Sequence, residues 1–478
     1  MNPLSALKTT KSEPNGTCFG RSSETTMAGS NDNPSDLVLP NGTTIVTKGK
    51  KKLEIIELLQ KSTLRSCYVA KMPNVDGKFV IKVEQPQALP TGIKLERNVA
   101  AVIGMATPLE AERFAEYVEY GESKVINFVI WKRLGPSLDE LHQMYRQRFS
   151  LSTAARINVQ TLRAIWKLHA LNFVHRNIQP AHFVVGENAK RVIYIISFSL
   201  VRHYKPNPDG ADGKTRLKQS TNNGAESCPP STMGRALARE STTVQRYFAP
   251  RIWYTHDSGV HSCRLDDLES WFFMSLHFVN PDCIPWAKIP PQMLTDVYEV
   301  KRDIFSHQYT EKIFLPNGTI PRAYRRLIDE INANTPTAMP DYDKFLLIAN
   351  SVVKEACPTA NTPYDWEEIA APLLSDYGEF RVPAVISPAV GSRKSGNSTN
   401  TANEILEDPE MDRLVEHWQN NFRKLVLSGV PRAEAYRRVM GIKHPAELAS
   451  GHWNPSNEKK KPEKTNPTSS TTTNDPTL

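Results

Sequence analysis

The spacing of the apolar residues changes along the chain, and this change constrains the fold more than any other feature. From about Lys51 to Ala371 the apolar runs are at first short and rich in β-branched and aromatic residues, as in CYVAKM, KFVIKVE and INFVIWKRL. Such runs are typical of strands. Later in the same stretch they take a helical period, as in TAARINVQTLRAIWKLHAL and LDDLESWFFMSLHFV. The sequence therefore predicts an α+β domain at 51–371, with a strand-rich part before a helix-rich part.

Polar segments flank and interrupt this domain. They are rich in Ser, Thr, Asn, Pro and Gly, a composition that buries too little apolar surface to offset the entropy lost on ordering. We expect a disordered N-terminal tail, a mobile insert in the helical part, a flexible linker after the domain and a basic, Thr-rich C-terminal tail. These segments are 1–50, 205–241, 372–403 and 446–478.

Residues 404–445, between the linker and the C-terminal tail, carry a second helical pattern. Their apolar residues form a single stripe of one helix, made of Met411, Leu414, Val415, Trp418, Phe422 and Leu425. Gly429 indicates the end of this helix, and Pro431 the start of a shorter one. An amphipathic helix of this kind either binds in a groove of another protein or docks on its own domain. The sequence favours neither alternative.

Composition and charge argue against several classes of protein. The 478 residues contain 59 Lys and Arg against 51 Asp and Glu, and the excess is spread over many segments, which disfavours nucleic-acid binding. The six cysteines form no Cys-x-x-Cys motif, so neither zinc nor a disulfide framework is indicated. The N-terminus lacks the apolar core of a signal peptide, and no run approaches the roughly 18 apolar residues that span a bilayer. We expect a soluble protein of the cytoplasm or nucleus whose partners are other proteins, without nucleic-acid or membrane binding.

Five short motifs follow one another along the helical part. They are Leu134-Gly-Pro-Ser-Leu138, Phe173-Val-His-Arg-Asn-Ile-Gln-Pro-Ala-His-Phe183, Tyr194-Ile-Ile-Ser-Phe-Ser-Leu200, Leu265-Asp-Asp-Leu-Glu-Ser270 and Ile284-Pro-Trp286. In order and spacing they resemble a eukaryotic protein kinase, and in detail the casein kinase 1 group. The resemblance implies a two-lobed protein kinase fold, with a β-rich small lobe at 51–133 and a helical large lobe at 134–371.

Three further segments refine this resemblance. They are Ile81-Lys-Val-Glu84, Leu95-Glu-Arg97 and Tyr364-Asp-Trp-Glu367. Within the casein kinase 1 group, these contexts are most similar to the tau-tubulin kinase branch.

The resemblance also locates the positions that carry out phosphoryl transfer in protein kinases. A kinase cradles the ATP phosphates, binds magnesium and provides an acceptor for the proton of the substrate hydroxyl. At the acceptor position this chain has Asn177, whose neutral amide is not basic near pH 7, and Ser197 replaces the magnesium-binding aspartate. Further substitutions are Gln60, Ser62 and Arg65 at the glycines of the phosphate-binding loop, Gln179 at a lysine, His182 at the second magnesium ligand and Ser199 at a glycine.

Other positions keep the residues that the resemblance predicts. Lys82 and Glu96 match the pair that bridges the small lobe, and the alternative is a solvated charge pair of little energetic value. His175, Phe198 and Asp267 match residues that stack at the lobe interface and tie the catalytic loop to a central helix. Their retention indicates a kinase-shaped body that still folds.

Two bulky residues stand where the resemblance places the adenine of ATP. Val80 replaces a smaller alanine, and Trp131 aligns with the residue that precedes the hinge between the lobes. A tryptophan ring contributes about 150–250 Å² of surface. We therefore expect Val80 and Trp131 to block the nucleotide pocket beside Lys82 and Glu96.

Base, metal ligands and phosphate cradle are lost together, and the base alone is typically worth about 10²- to 10⁴-fold in rate. The sequence thus predicts a catalytically inactive pseudokinase of the casein kinase 1 group, acting as a protein-binding, scaffolding or regulatory module. No competent catalytic residue, no metal and no cofactor are expected. The alternative is a Ser/Thr protein kinase of the same group with residual or unconventional phosphoryl transfer, which would require ATP and Mg²⁺.

Overall fold

The computed structural model describes residues between positions 38 and 440. The described residues are 38–61, 65–86, 92–123, 126–146, 148–204, 247–254, 263–290, 293–306, 320–335, 339–357, 359, 361–367 and 409–440. The predicted insert at 205–241, the linker at 372–403 and the tail at 446–478 lie outside these ranges.

The N-terminal part forms a six-stranded antiparallel sheet in the order β1-β2-β3-β4-β6-β5. Its strands are β1 (Thr44–Val46), β2 (Lys52–Lys61), β3 (Arg65–Lys71), β4 (Phe79–Glu84), β5 (Tyr117–Glu122) and β6 (Asn127–Lys132). Helix α1 (Gly92–Met105) follows β4 and contacts β4, β5 and β6.

The two faces of this sheet differ because successive side chains of a strand point to opposite faces. On β4, Phe79, Ile81 and Val83 lie on one face and join a buried apolar cluster. Val80 and Lys82 alternate with them and so lie on the other face. The alternation along β4 thus assigns each side chain to the core or to the opposite face.

The predicted boundary of the N-terminal tail at residue 50 is wrong. Leu39 and Ile45 are buried in the core of the sheet, and β1 pairs with β2. The backbone N–H of Leu39 donates to the hydroxyl of Tyr68, over 2.8 Å. These two apolar residues explain the difference, because their burial offsets the entropy of ordering a short polar stretch.

The chain after β6 is mainly helical. The described α-helices of this part are α2 (Leu138–Met144), α3 (Leu151–Ala170), α4 (Arg264–Val279), α5 (Leu294–Phe305), α6 (Ala323–Ala333) and α7 (Tyr342–Ala356). Ser137 and Glu140 form a reciprocal capping box that starts α2. Helix α4 is buried on most of its surface and contacts α3 and α6, which makes it the central helix of this part.

Two short antiparallel ladders lie between α3 and α4 in sequence. One pairs β7 (Phe173–Val174) with β10 (Arg202–His203), and the other pairs β8 (Phe183–Val185) with β9 (Ile193–Ile195). The loop 175–182 connects β7 to β8, and the loop 196–201 connects β9 to β10. The two ladders therefore bring together the loops that hold Asn177, Gln179, His182, Ser197 and Ser199, which the sequence analysis predicts to be substituted kinase positions.

The α+β fold class predicted from the sequence is confirmed. An antiparallel sheet forms the N-terminal part and helices form the C-terminal part, as in a two-lobed kinase fold. Among the described residues, no helix combines the length and the apolar character needed to cross a bilayer.

The chain divides into two compact units, Met1–Asn420 and Asn421–Leu478. Helix α8 (Pro409–Leu427) spans the boundary, and helix α9 (Arg432–Met440) belongs to the second unit. Gly429, between them, has φ of 87°, a left-handed conformation that glycine adopts at little cost and that commonly ends a helix.

In the second unit, a contact between an arginine and an aromatic ring joins α9 to the end of α8. The guanidinium of Arg432 lies over the ring of Phe422, 5.2 Å from its centre. Ala435 and Tyr436 on α9 are fully buried. The side chains of Met411 and Leu414, in the predicted apolar stripe, lie outside the described residues.

Candidate active site

Asp267, on α4, organises the start of the loop 175–182. Its Oδ2 accepts the backbone N–H of His175 over 2.6 Å and lies 2.9 Å from Nε2 of His169, and its Oδ1 accepts the backbone N–H of Arg176 over 2.8 Å. Burial alone would raise the pKa of Asp267, but the hydrogen bonds from His169 and from the backbone of His175 hold that pKa below its ordinary value. The carboxylate thus ties the loop to the central helix.

His175 links this loop to the loop 196–201. Its Nε2 lies 3.0 Å from the carbonyl oxygen of Ile196, and because a carbonyl only accepts, Nε2 carries the proton. The ring of His175 also meets Phe198, with 6.0 Å between ring centres. Phe198 is buried and contacts Phe114 and Trp131 at 6.1 and 5.9 Å. A continuous row of aromatic side chains therefore connects the loops to the sheet.

The acceptor position is part of a closed hydrogen-bonded set. Nδ1 of His182 lies 2.7 Å from the carbonyl oxygen of Asn177, so Nδ1 is the protonated nitrogen and Nε2 is an acceptor. The side-chain amide of Gln179 donates to Oδ1 of Asn177 over 3.0 Å and lies 3.2 Å from Nε2 of His182. Neutral groups thus satisfy one another at the three positions that the resemblance assigns to the base, the lysine and a magnesium ligand of a kinase.

The surroundings of His182 disfavour a cation. Burial, with His175 nearby, lowers the pKa of His182 to about 3, so the ring is neutral at physiological pH. Imidazole suits softer metals than Mg²⁺, which prefers carboxylate oxygens and water. Among the described residues, no group of three or more His, Cys, Asp or Glu side chains is placed to hold a metal ion.

Ser197 and Ser199 lie on either side of buried Phe198. Ser197 has φ of 71°, a left-handed backbone that costs a non-glycine residue about 1–2 kcal/mol. A Cβ added at Gly92 would lie 2.8 Å from Cβ of Ser199, so the start of α1 packs directly on this loop. Hydroxyl groups here carry no charge with which to bridge a metal to phosphate.

Lys82, Glu96 and Trp131 form a connected group between the sheet and α1. Nζ of Lys82 lies 2.6 Å from Oε1 of Glu96, and the indole Nε1–H of Trp131 donates to Oε2 over 3.1 Å. The Glu96 side chain is 1% exposed, against 24% for Lys82, so this is not the solvated surface pair that the sequence left open. Both carboxylate oxygens are therefore engaged by groups of the chain itself.

Val80 and Trp131 are cross-strand partners in the pairing of β4 with β6, which puts their side chains on the same face of the sheet. Trp131 is buried and also meets Tyr117 edge-on, with 5.6 Å between ring centres. Its ring thus fills space between β6, α1 and Phe198. That these two residues block a nucleotide stays a prediction.

An ion pair that the sequence analysis missed involves Arg65, one of the residues that the resemblance aligns with the glycines of the phosphate-binding loop. Nε of Arg65 is 2.8 Å from Oε2 of Glu84, which also accepts the backbone N–H of Gly92 over 3.1 Å. Burial raises the pKa of the fully buried Glu84, while Arg65 opposes that rise. The signal was the opposite charges of two residues that the β3–β4 register places side by side. Of the other two residues aligned with loop glycines, Gln60 is exposed on β2 and Ser62 lies outside the described residues.

Acid should destabilise the fold through His182. An unfolded histidine titrates near pH 6.5, whereas the folded pKa is about 3. Between these values the unfolded chain binds a proton that the folded chain does not. The contribution of His182 to the free energy of unfolding is therefore fully present above pH 6.5 and is lost as the pH falls from 6.5 towards 3. From pH 7 to pH 5 we expect His182 to contribute a loss of about 2 kcal/mol.

Urea unfolding at the two pH values measures this contribution. His182→Asn should lose about 2 kcal/mol less than the wild type between pH 7 and pH 5. Leu347→Ala, which changes an exposed side chain that does not titrate, serves as the control and should follow the wild type. Equal losses in the wild type and His182→Asn would contradict the assignment.

Comparison with known proteins finds relatives among protein kinases. A putative serine/threonine-protein kinase of Caenorhabditis elegans is 30% identical over 236 residues, which are 48% of this chain and 62% of that protein. The serine/threonine-protein kinase spe-6 of the same species is 25% identical over 320 residues, 66% of this chain and 76% of its own length. Casein kinase I homolog 3 of Schizosaccharomyces pombe is 27% identical over 250 residues, 52% and 51% of the two chains.

No protein-family model matches the chain. The chain spans 62% of the length of the first of these relatives and 51% of the length of the third. Together with the α+β fold, the relatives support a protein kinase-like protein, and they include casein kinase I homologues.

Proposed function

We propose that the chain is a catalytically inactive pseudokinase of the casein kinase 1 group, closest to the tau-tubulin kinase branch, that binds or scaffolds other proteins. The observation that carries this proposal is the hydrogen-bonded set of Asn177, Gln179 and His182. Phosphoryl transfer needs a proton acceptor and bound magnesium at these positions. Two neutral amides and an imidazole with a pKa of about 3 supply neither.

The contacts between the sheet and α1 favour a binding role. Lys82 and Trp131 hold both oxygens of Glu96, and Trp131 packs against Phe198. Side chains of the chain itself therefore join α1 to the sheet and fix the surface that the kinase-like part presents to other proteins. Its partners are then proteins of the cytoplasm or nucleus rather than nucleic acid or membranes.

Magnesium should add nothing to any stabilisation by ATP. A ligand at 100 times its Kd stabilises a protein by about 2.7 kcal/mol, a shift of several degrees in thermal unfolding. We expect millimolar ATP to shift the unfolding temperature of the full chain no more with Mg²⁺ than with EDTA. The reason is that Asn177 and Ser197 provide no carboxylate to bind the metal. Thermal unfolding with and without ATP, each in Mg²⁺ and in EDTA, provides the measurement.

The matched variant carries Asn177→Asp and Ser197→Asp, which restore both carboxylates. A magnesium-dependent shift confined to this variant would show that the assay detects metal binding at this site. If the wild type itself shows such a shift, or transfers phosphate to casein at a rate that Asn177→Ala abolishes, the proposal fails. The chain would then be a Ser/Thr protein kinase with unconventional ligands.

A further inference from the structure

Helix α8 contacts the kinase-like part of the chain within the first compact unit. The ring of Trp418 lies 5.3 Å from the ring of His203, measured between centres, at an interplanar angle of 59°. Val415, one helical turn earlier, is 4% exposed, whereas Glu416 is exposed. The helix therefore turns the Val415 and Trp418 side inward and leaves Glu416 in solvent.

The contact falls on the last residues before the segment 205–246. His203, on β10, also meets Phe173 of β7, with 5.8 Å between ring centres. The next residue, Tyr204, donates its backbone N–H to the carbonyl oxygen of Asn172 over 2.7 Å. The guanidinium of Arg264 covers the Tyr204 ring at 4.3 Å. Pairing with β7 and the contact of Tyr204 with Arg264 thus anchor β10 to the helical part.

We infer that α8 is an internal ligand of the kinase-like domain, docked on the β7–β10 ladder through the contact of Trp418 with His203. We favour α8 over a partner protein as the binder of this surface because Trp418 already contacts His203 of the same chain. Val415, on the same side of α8, is also buried within the chain. A helix that lays its apolar face on a domain competes with any other protein for that surface. Docked α8 therefore masks the strand that leads into the segment 205–246, and a partner must displace the helix to reach it.

Hydrogen exchange of the full chain tests this docking. Aromatic pairs contribute enough for their loss to speed local opening by roughly 2- to 10-fold. Trp418→Ala should therefore accelerate exchange at the amides of 203–204 and 173–174 by that factor. Trp418→Phe, which keeps an aromatic ring, should change exchange less, and Glu416→Ala, on the exposed side of the same helix, should leave it unchanged.

His203→Ala gives the reciprocal experiment, because it leaves the sequence of α8 intact. Exchange at the amides of 415–418 should then increase, which can occur only through the contact. Unchanged exchange at 203–204 in Trp418→Ala and at 415–418 in His203→Ala would overturn the inference. Exchange at these amides in the wild type should also be the same at two protein concentrations tenfold apart. A dependence on concentration would identify a second copy as the occupant and would equally overturn it.

Discussion

Replacing Asp267 with asparagine should lower the free energy of unfolding by about 3–5 kcal/mol, the cost of removing one partner from a buried charged network. The carboxylate accepts the backbone N–H groups of His175 and Arg176 and pairs with His169. An amide keeps one acceptor oxygen and sets an NH₂ group against a second donor. Because Asp267 is 2% exposed, water cannot relieve that conflict.

Urea unfolding monitored by circular dichroism measures this loss. Asp343→Asn, at an exposed position in the first turn of α7, is the matched control and should cost less than about 1 kcal/mol. A variant of Asp267 as stable as the control would mean that the loop 175–182 does not depend on this carboxylate. The expected loss would show that Asp267 has a role in the fold that does not require a catalytic base at position 177.

Local patterns predicted much of the fold because they act over short distances. The short β-like run KFVIKVE predicted a strand, and β4 has one face in the core cluster. The run from Thr153 to Leu171 predicted a helix, and α3 covers nearly all of it. The tail boundary failed because only two apolar side chains, those of Leu39 and Ile45, secure the stretch that precedes β2.

The motifs predict which positions of the site are substituted, and the structure brings Asn177, Gln179 and His182 of that prediction together. The motifs could not predict what the substitutes bind. The pairing of Arg65 with Glu84 depends on the register of β3 and β4, and the reach of Trp131 to Glu96 depends on the packing of α1 on the sheet. The contact of Trp418 with His203 joins residues far apart in the sequence, whose pairing no local pattern encodes.

Lys82→Met should lower the free energy of unfolding by about 2–3 kcal/mol in the absence of any nucleotide. Removing the cation leaves Glu96, which is 1% exposed, with only the indole N–H of Trp131. Stranding a buried charge costs about 3–5 kcal/mol, and the figure is lower here because the Lys82 side chain is 24% exposed. Urea unfolding of the ligand-free protein gives the value.

A double variant separates the role of the pair in the fold from a role in nucleotide binding. Lys82→Met with Glu96→Gln removes both charges and keeps a side-chain oxygen that can accept the indole N–H of Trp131, so most of the lost stability should return. Arg148→Met, which breaks an exposed pair with Asp282, should change stability by at most about 1 kcal/mol. If Lys82 served only to hold phosphate, Lys82→Met would leave the ligand-free protein as stable as the wild type. The expected loss and its recovery would instead make the pair an architectural contact, retained because it holds α1 on the sheet.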